Sequence, residues 1–202
     1  MEIKYNVIKY KEKNQEEIKD HVSVEEPLEM ILRFKKDGKW QRENLSITMR
    51  TPGNDEELIS GFLFNERIIE NFSELTKVEK QGDKTGDYNI QNKIEATIDN
   101  IKNIDIGKLK RNFLTNSSCG VCGKTSLDTI EVIKNEKLNL TFPKLKKEII
   151  MKSPKLLIKE QSEFSKTGGI HASSLINDSG KVIITMEDVG RHNALDKLVG
   201  YA

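Results

Sequence analysis

The chain has 202 residues, with 33 Lys and Arg against 32 Asp and Glu, a net charge of +1, and 36% hydrophobic residues. That balance supports the core of one domain or two small ones, and it excludes a strong global field for nucleic acid or a membrane surface. No apolar run approaches the roughly 20 residues of a bilayer span, and Met1-Glu2-Ile3-Lys4 carries no basic-then-apolar leader, so a cytoplasmic protein with neither membrane nor nucleic-acid partners is expected.

In chain order, Ile3, Tyr5 and Val7 alternate as in a half-buried strand. A second strand is read from Leu28 to Phe34, ending at the turn residues Asp37-Gly38. Leu45, Ile47 and Met49 alternate again before Thr51-Pro52-Gly53 breaks the strand. Asn54 with Glu57 three residues on reads as a capping box, opening a helix that carries Leu58, Phe62 and Ile69 on one face. Polar strands follow around Leu75–Lys80 and Asn89–Ile98. A lysine-rich stretch from Ile101 to Asn112 reads as the join between a strand-rich α+β subdomain, 1–108, and a second subdomain, 109–202.

The second part opens on Ser117-Ser118-Cys119-Gly120-Val121-Cys122-Gly123-Lys124, which holds the only two cysteines of the chain. Leu127, Ile130 and Ile133 at helical spacing place this CxxC at a helix entry, where free N–H groups and a partial positive charge stabilise a thiolate. A second helix is read from a Ser153-Pro154 start, with Leu157, Gln161 and Phe164 at helical spacing. Then come Thr167-Gly168-Gly169-Ile170-His171-Ala172, a strand to Ile176, the turn Asn177-Asp178-Ser179-Gly180, and a buried-looking strand at Val182-Ile183-Ile184. Glu187-Asp188-Val189-Gly190-Arg191-His192-Asn193-Ala194 leads into a closing helix through Leu195, Leu198 and Val199. This α-α-β-β-α order is that of a sheet covered by helices, an α/β class.

Three chemistries are open to a CxxC: a redox disulfide, half of a metal site, and sulfur transfer. A Cys2His2 zinc site has enough ligands once His171 and His192 are counted, but no second ligand pair lies at a finger-like interval. A zinc deaminase needs a His-x-Glu segment, and His171-Ala172-Ser173 puts a serine where the carboxylate belongs. Glycine after each cysteine indicates a mobile loop in place of the compact thioredoxin-like support. His171 alone reads as structural or functional at even odds. Glu187–Asn193 concentrates acid, base, imidazole and amide groups where a strand opens into a helix, a common ligand position. Its bland alternative is a local Asp188–Arg191 salt bridge of little worth if exposed.

Several separate segments resemble the formate dehydrogenase accessory sulfurtransferase family (FdhD/NarQ). Ser117–Gly123 is similar to its cysteine signature, Thr167–Ala172 to its second motif, and Glu187–Lys197 to its third. Glu25-Glu26-Pro27-Leu28 and Met49–Asn54 through Gly61-Phe62-Leu63 resemble family segments in the same order. The resemblance implies a sulfurtransferase that accepts persulfide sulfur from a cysteine desulfurase and passes it to the molybdenum bis(molybdopterin guanine dinucleotide) cofactor for formate dehydrogenase. It further implies a cytidine-deaminase-like α/β/α core without the zinc site, and a homodimer. Carried over by motif, Cys119 is the persulfide carrier and Cys122 its assistant. Gly168, Gly169, His171, Glu187, Asp188, Gly190, Arg191, His192 and Asn193 are expected near the bound cofactor, and no permanently bound metal is expected. The alternatives are a cofactor-binding chaperone without sulfur transfer and a Cys/His zinc protein. Two departures stand out. Asn65-Glu66-Arg67-Ile68-Ile69 has arginine where the family has glycine, and family chains continue past the third motif while this one stops at Ala202. The chain is therefore expected to be a fragment or a short member whose fold lacks its C-terminal part.

Overall fold

The computed structural model describes residues 1–11, 14–99 and 145–202. Cys119, Cys122 and Lys124, the lysine-rich 101–112 stretch, the helix read through Leu127, Ile130 and Ile133, and the 108/109 boundary all lie outside the described residues. The described chain is mixed α and β, as the sequence implies. Its strands are β1 (Glu2–Lys11), β2 (Asn14–Ser23), β3 (Glu26–Lys36), β4 (Lys39–Arg50), β5 (Leu75–Thr85), β6 (Ile90–Ile98), β7 (His171–Ile176) and β8 (Val182–Asp188). Its helices are α1 (Asp55–Asn65), α2 (Lys147–Glu160), the single turn α3 (Phe164–Thr167) and α4 (Arg191–Tyr201).

Strands β4-β3-β6-β5 form one sheet in that order, with β3 and β6 parallel and the other pairs antiparallel. Leu28, Met30, Leu32 and Phe34 alternate along β3 and turn one face of this sheet toward α1. There they meet Leu58, Ile59 and Leu63 of α1 and Ile94, Ala96 and Ile98 of β6 in the main core. Asp37 and Gly38, both at positive φ (51° and 75°), make the two-residue turn that matches strand twist in a hairpin. The pairing shifts register between Met30 and Ile31, leaving Leu45 as the extra residue of a β-bulge. A one-residue bulge reverses which face later side chains take. Leu45 is therefore buried, while Ile47 and Met49 are exposed, contrary to the simple alternation read from the sequence.

Four helix ends differ from expectation. Asn54 takes a left-handed backbone (φ 54°), outside the extended region an N-cap uses, and its side chain makes no capping bond. The box forms instead at Asn71 and Glu74, around a short 3₁₀ turn. Helix α1 ends at Asn65, so Ile69 enters the core beyond the helix, where its N–H and that of Ile68 bond the Leu63 carbonyl. Helix α2 begins at Lys147, and Pro154 lies inside it. The Ser153 hydroxyl donates to the Ile150 carbonyl at 2.8 Å, supplying the bond Pro154 cannot make. That helix stops at Glu160, so Phe164 belongs to the next turn. In β8, Ile183 is exposed rather than buried.

Strand β2, polar throughout apart from Ile18 and Val22, pairs with β1 over ten residues. This hairpin touches α3 through a Ser23–Thr167 hydroxyl bond and a Lys166–Glu2 ion pair. Helix α4 lies against α1, and two glycines set the distance. A Cβ on Gly61 would overlap the Asp196 carbonyl oxygen and sit 2.8 Å from the Gly200 nitrogen. One on Gly200 would overlap the Glu57 carbonyl oxygen. The two backbones therefore touch directly, which only glycine permits here.

Candidate functional site

Strand β8 ends on Asp188, and the chain turns through Val189 and Gly190 into α4. The Asp188 carboxylate is fully buried. One oxygen accepts from Gly190 N (2.8 Å) and Asn193 Nδ2 (3.0 Å), the other from Thr51 N (3.1 Å) and Lys197 Nζ (2.7 Å). Lys197, only 2% exposed, also donates to the carbonyls of Thr51 (2.8 Å) and Glu187 (3.5 Å). Asn193 Nδ2 donates to the Met49 carbonyl at 2.8 Å, and its oxygen accepts from the Thr48 hydroxyl at 3.2 Å. Val189 N donates to the Thr51 hydroxyl at 3.1 Å. The turn is thus stitched to the end of β4.

Helix geometry explains the choice of partners. Asn193 and Lys197 are four apart and share the face turned to β4, whereas Arg191, His192 and Leu195 take the opposite, exposed face. Asp188 therefore pairs with Lys197, and the local Asp188–Arg191 bridge considered from sequence does not form. Gly190 fits because a Cβ there would lie 2.9 Å from Asn193 Nδ2.

Glu187 points the other way. Its carboxylate accepts from Phe164 N (2.8 Å), Glu163 N (3.0 Å) and Ser162 Oγ (3.3 Å), capping α3 from a neighbouring strand. Gly168 (φ 65°) ends that turn, Ile170 is buried beneath it, and His171 opens β7. In the β7–β8 register His171 stands opposite Asp188, so the second and third motifs converge at one end of this strand pair. Gly168, Gly169, His171, Arg191 and His192 are exposed, Glu187 and Gly190 are half-buried, and Asp188 and Asn193 are buried. The outer surface thus offers a guanidinium, imidazoles and the first turn of a helix, an arrangement suited to an anion. Among the described residues no cluster of three His, Cys, Asp or Glu side chains is placed to hold a metal.

A second buried pair lies behind the junction. Arg50 donates to both oxygens of Asp55 (3.0 and 3.3 Å) and to the Glu26 carbonyl, and Lys80 reaches Asp55 at 3.1 Å. Burial works against the Asp55 carboxylate, but the Arg50 hydrogen bonds and the two cations outweigh it and hold its pKa below the ordinary value. Asp196 behaves oppositely. Burial at the α1–α4 contact pushes its carboxyl up to about 7; the 2.6 Å bond from Asn65 opposes this, and the charges of Glu66 and Asp188 add to it.

Thr48, Thr51 and Lys197 were not named as site residues from sequence, although Thr51 and Lys197 lie within segments that carry the resemblance. The readable signal was at Lys197, a lysine in line with Ala194 and Leu198 on the buried face of α4.

The profile of the FdhD/NarQ family matches residues 24–202. A protein of Saccharolobus solfataricus named "Sulfur carrier protein FdhD" is 35% identical over 198 residues, covering 98% of this chain and 68% of that protein. Its namesake from Sulfolobus acidocaldarius is 38% identical with the same coverage, and one from Streptomyces avermitilis is 40% identical over 91% of this chain and 63% of its own. The chain thus spans about two thirds of the length of these curated relatives. In fold it is similar to a crystal structure described as a formate dehydrogenase accessory protein from Desulfotalea psychrophila, with a TM-score of 0.67, 21% identity, and coverage of 98% of this chain and 68% of that one. By sequence motif, family profile and relatedness over nearly all of its own residues, the chain belongs to the FdhD/NarQ family.

Proposed function

We propose that this protein is a sulfur carrier serving formate dehydrogenase, with Cys119 as the persulfide-bearing residue. The observation that carries the reading is the 35–38% identity, over 98% of the chain, to relatives named sulfur carrier proteins. The CxxC supplies the chemistry. The Cys119 thiolate attacks the outer sulfur of a cysteine desulfurase persulfide, the donor S–S bond breaks, and the donor leaves as a thiolate. Attack by Cys122 on the inner sulfur then forms a Cys119–Cys122 disulfide and releases the outer sulfur as sulfide. A cellular dithiol reduces the disulfide.

The acceptor in this reading is the molybdenum bis(molybdopterin guanine dinucleotide) cofactor, bound as substrate. Arg191, His192, His171 and the Gly168-Gly169 backbone form the contact surface, because these groups are exposed at one end of β7–β8. Arg191 and the N–H groups of the first α4 turn receive a pyrophosphate. Glu187, Gly190, Asp188 and Asn193 position that surface from beneath. The reading also includes a cytidine-deaminase-like core in the 109–202 part, a homodimer and a cytoplasmic setting, all on family resemblance. No helix among the described residues is long and apolar enough to cross a membrane.

The test is mass spectrometry after incubation with a desulfurase and cysteine, beside reconstitution of formate dehydrogenase. Cys119→Ala is expected to lose both the added sulfur and the reconstituted activity. Full activity in a variant lacking both cysteines would replace sulfur transfer with a cofactor chaperone, and stoichiometric zinc lost on Cys119→Ser would replace it with a zinc protein.

A further inference from the structure

We infer that Lys197 is a positioning residue of the ligand surface, fixing the first turn of α4 against the end of β4. The inference rests on the reading that the exposed face of this turn receives the anionic part of a guanine nucleotide. The ammonium group has three protons and meets three acceptors: the Asp188 carboxylate (2.7 Å), the Thr51 carbonyl (2.8 Å) and the Glu187 carbonyl (3.5 Å). Asp188 in turn accepts from Thr51 N, Gly190 N and Asn193 Nδ2. The pair therefore ties together backbone groups of Thr51, Glu187 and Gly190, from two segments more than 130 residues apart.

Stability alone does not explain a charge at this position. Both side chains are almost completely buried, at 2% and 0% exposure. A buried ion pair commonly contributes no more than well-packed apolar residues of the same volume, because desolvation offsets the attraction. What a buried pair adds is direction. Apolar packing at 197 would hold α4 on the sheet, but it would leave the angle and slide of its first turn less determined. Arg191, which forms no ion pair among the described residues, takes its placement from that turn. Lys197 lies on the opposite face of the helix and reaches the ligand only through this geometry.

The experiment uses the full chain, with GDP as probe, followed by titration calorimetry at two salt concentrations and by amide hydrogen exchange. Lys197→Met keeps the length and apolar stem of the side chain; Lys197→Gln is the second variant should the first not fold. Ile94→Ala, a core change in the distant sheet, controls for lost stability. The expected result is a Kd for GDP raised about tenfold or more by Lys197→Met and unchanged by Ile94→Ala. The salt dependence of the remaining binding should persist in Lys197→Met and flatten in Arg191→Gln. Amides of Thr51, Val189 and Gly190 should lose protection selectively in the Lys197 variants. A folded Lys197 variant with wild-type Kd overturns the inference. Absence of GDP binding by the wild type overturns the ligand reading instead, and the inference then fails if exchange at Thr51, Val189 and Gly190 is unchanged.

Discussion

In the β3–β6 sheet with α1, thirteen buried apolar side chains among the described residues form one continuous cluster. In the β7–β8 pair with α4, the described buried apolar residues are Ile170, Met186, Ala194 and Leu198, and much of the remaining contact with the sheet is polar, through Asp188, Asn193 and Lys197. The first unit resembles an ordinary domain core, whose stability is spread over many residues and little affected by direction. The second depends on a few hydrogen-bonded groups that demand a particular geometry. The proposed ligand surface lies on the second unit, which is where direction matters. The first supplies the rigid wall, β4, against which the site is set.

The sharpest way to break this contrast is Asp188→Ala. It leaves the Lys197 ammonium and two backbone N–H groups buried without their acceptor, a cost of about 3–5 kcal/mol. Because those groups join the units, residues 145–202 are expected to lose exchange protection and become protease-sensitive before the sheet melts. A single cooperative transition at lower temperature, with both units opening together, would show that the apolar contacts carry the junction after all.

Gly200→Ala tests a place where the two units touch by backbone. The added methyl has only the Glu57 carbonyl and Gly61 nitrogen to displace, so α4 must shift. Overpacking of this kind costs about 1–3 kcal/mol, or roughly 2–12 °C in Tm for a chain this size. Differential scanning calorimetry measures it. An unchanged Tm would mean that the crossing is slack.

These two positions also show what the sequence conveyed and where it stopped. The apolar run of β3 and the strand at β1 were legible because each is a local pattern, although Tyr5 is exposed where the alternation would half-bury it. The β-bulge at Leu45 was not, since it depends on the register with β3, and so Ile47 and Met49 were assigned to the wrong face. Strand β2 has almost no apolar period and exists because β1 pairs with it. At Ser153-Pro154 the local start signal was overridden by a helix already running, with the serine hydroxyl replacing the missing N–H. For the site, the motif Glu187–Asn193 was legible as a polar concentration, but the division of its residues between inward and outward faces required the turn at Gly190. Thr51, 137 residues before Asp188, was legible as part of a strand break, but nothing local pointed to its bond with Asp188.

Asp196 sharpens the contrast through pH. Its carboxyl sits at about 7 in the folded chain, against an ordinary 3.8, so the folded state holds this proton more tightly than the unfolded one. The stability it lends is full below about pH 4 and is lost as pH rises through 7. Allowing for partial solvent access, the loss is on the order of 1–2 kcal/mol. Asp196→Asn, which cannot ionise, should match wild type near pH 3.5, begin to exceed it above pH 4 and exceed it fully near pH 8 in urea midpoint. If the two curves run parallel between those values, the α1–α4 contact does not titrate. The effect belongs to the polar side of the comparison, and no apolar substitution in the sheet should reproduce it.

The smallest effect is expected inside the sheet unit, at Arg67. The residue follows the end of α1 with φ 57°, a left-handed backbone that glycine adopts freely and other residues adopt at a cost. That conformation lets Arg67 N bond the Phe64 carbonyl and lets Ile68 N reach Leu63, which carries Ile68 and Ile69 into the core. Glycine at this position would give the unstrained version of the same turn. Arg67→Gly should raise stability by about 0.5–1 kcal/mol, part of the relieved strain being offset by glycine's greater freedom in the unfolded chain. The Tm gain is then about 1–4 °C. GDP affinity should not change, because the turn lies within the apolar unit and touches none of the polar stitches. A gain in Tm accompanied by a changed Kd would mean that the end of α1 communicates with α4 through Asn65 and Asp196, and that the two units are less separable than their contacts suggest.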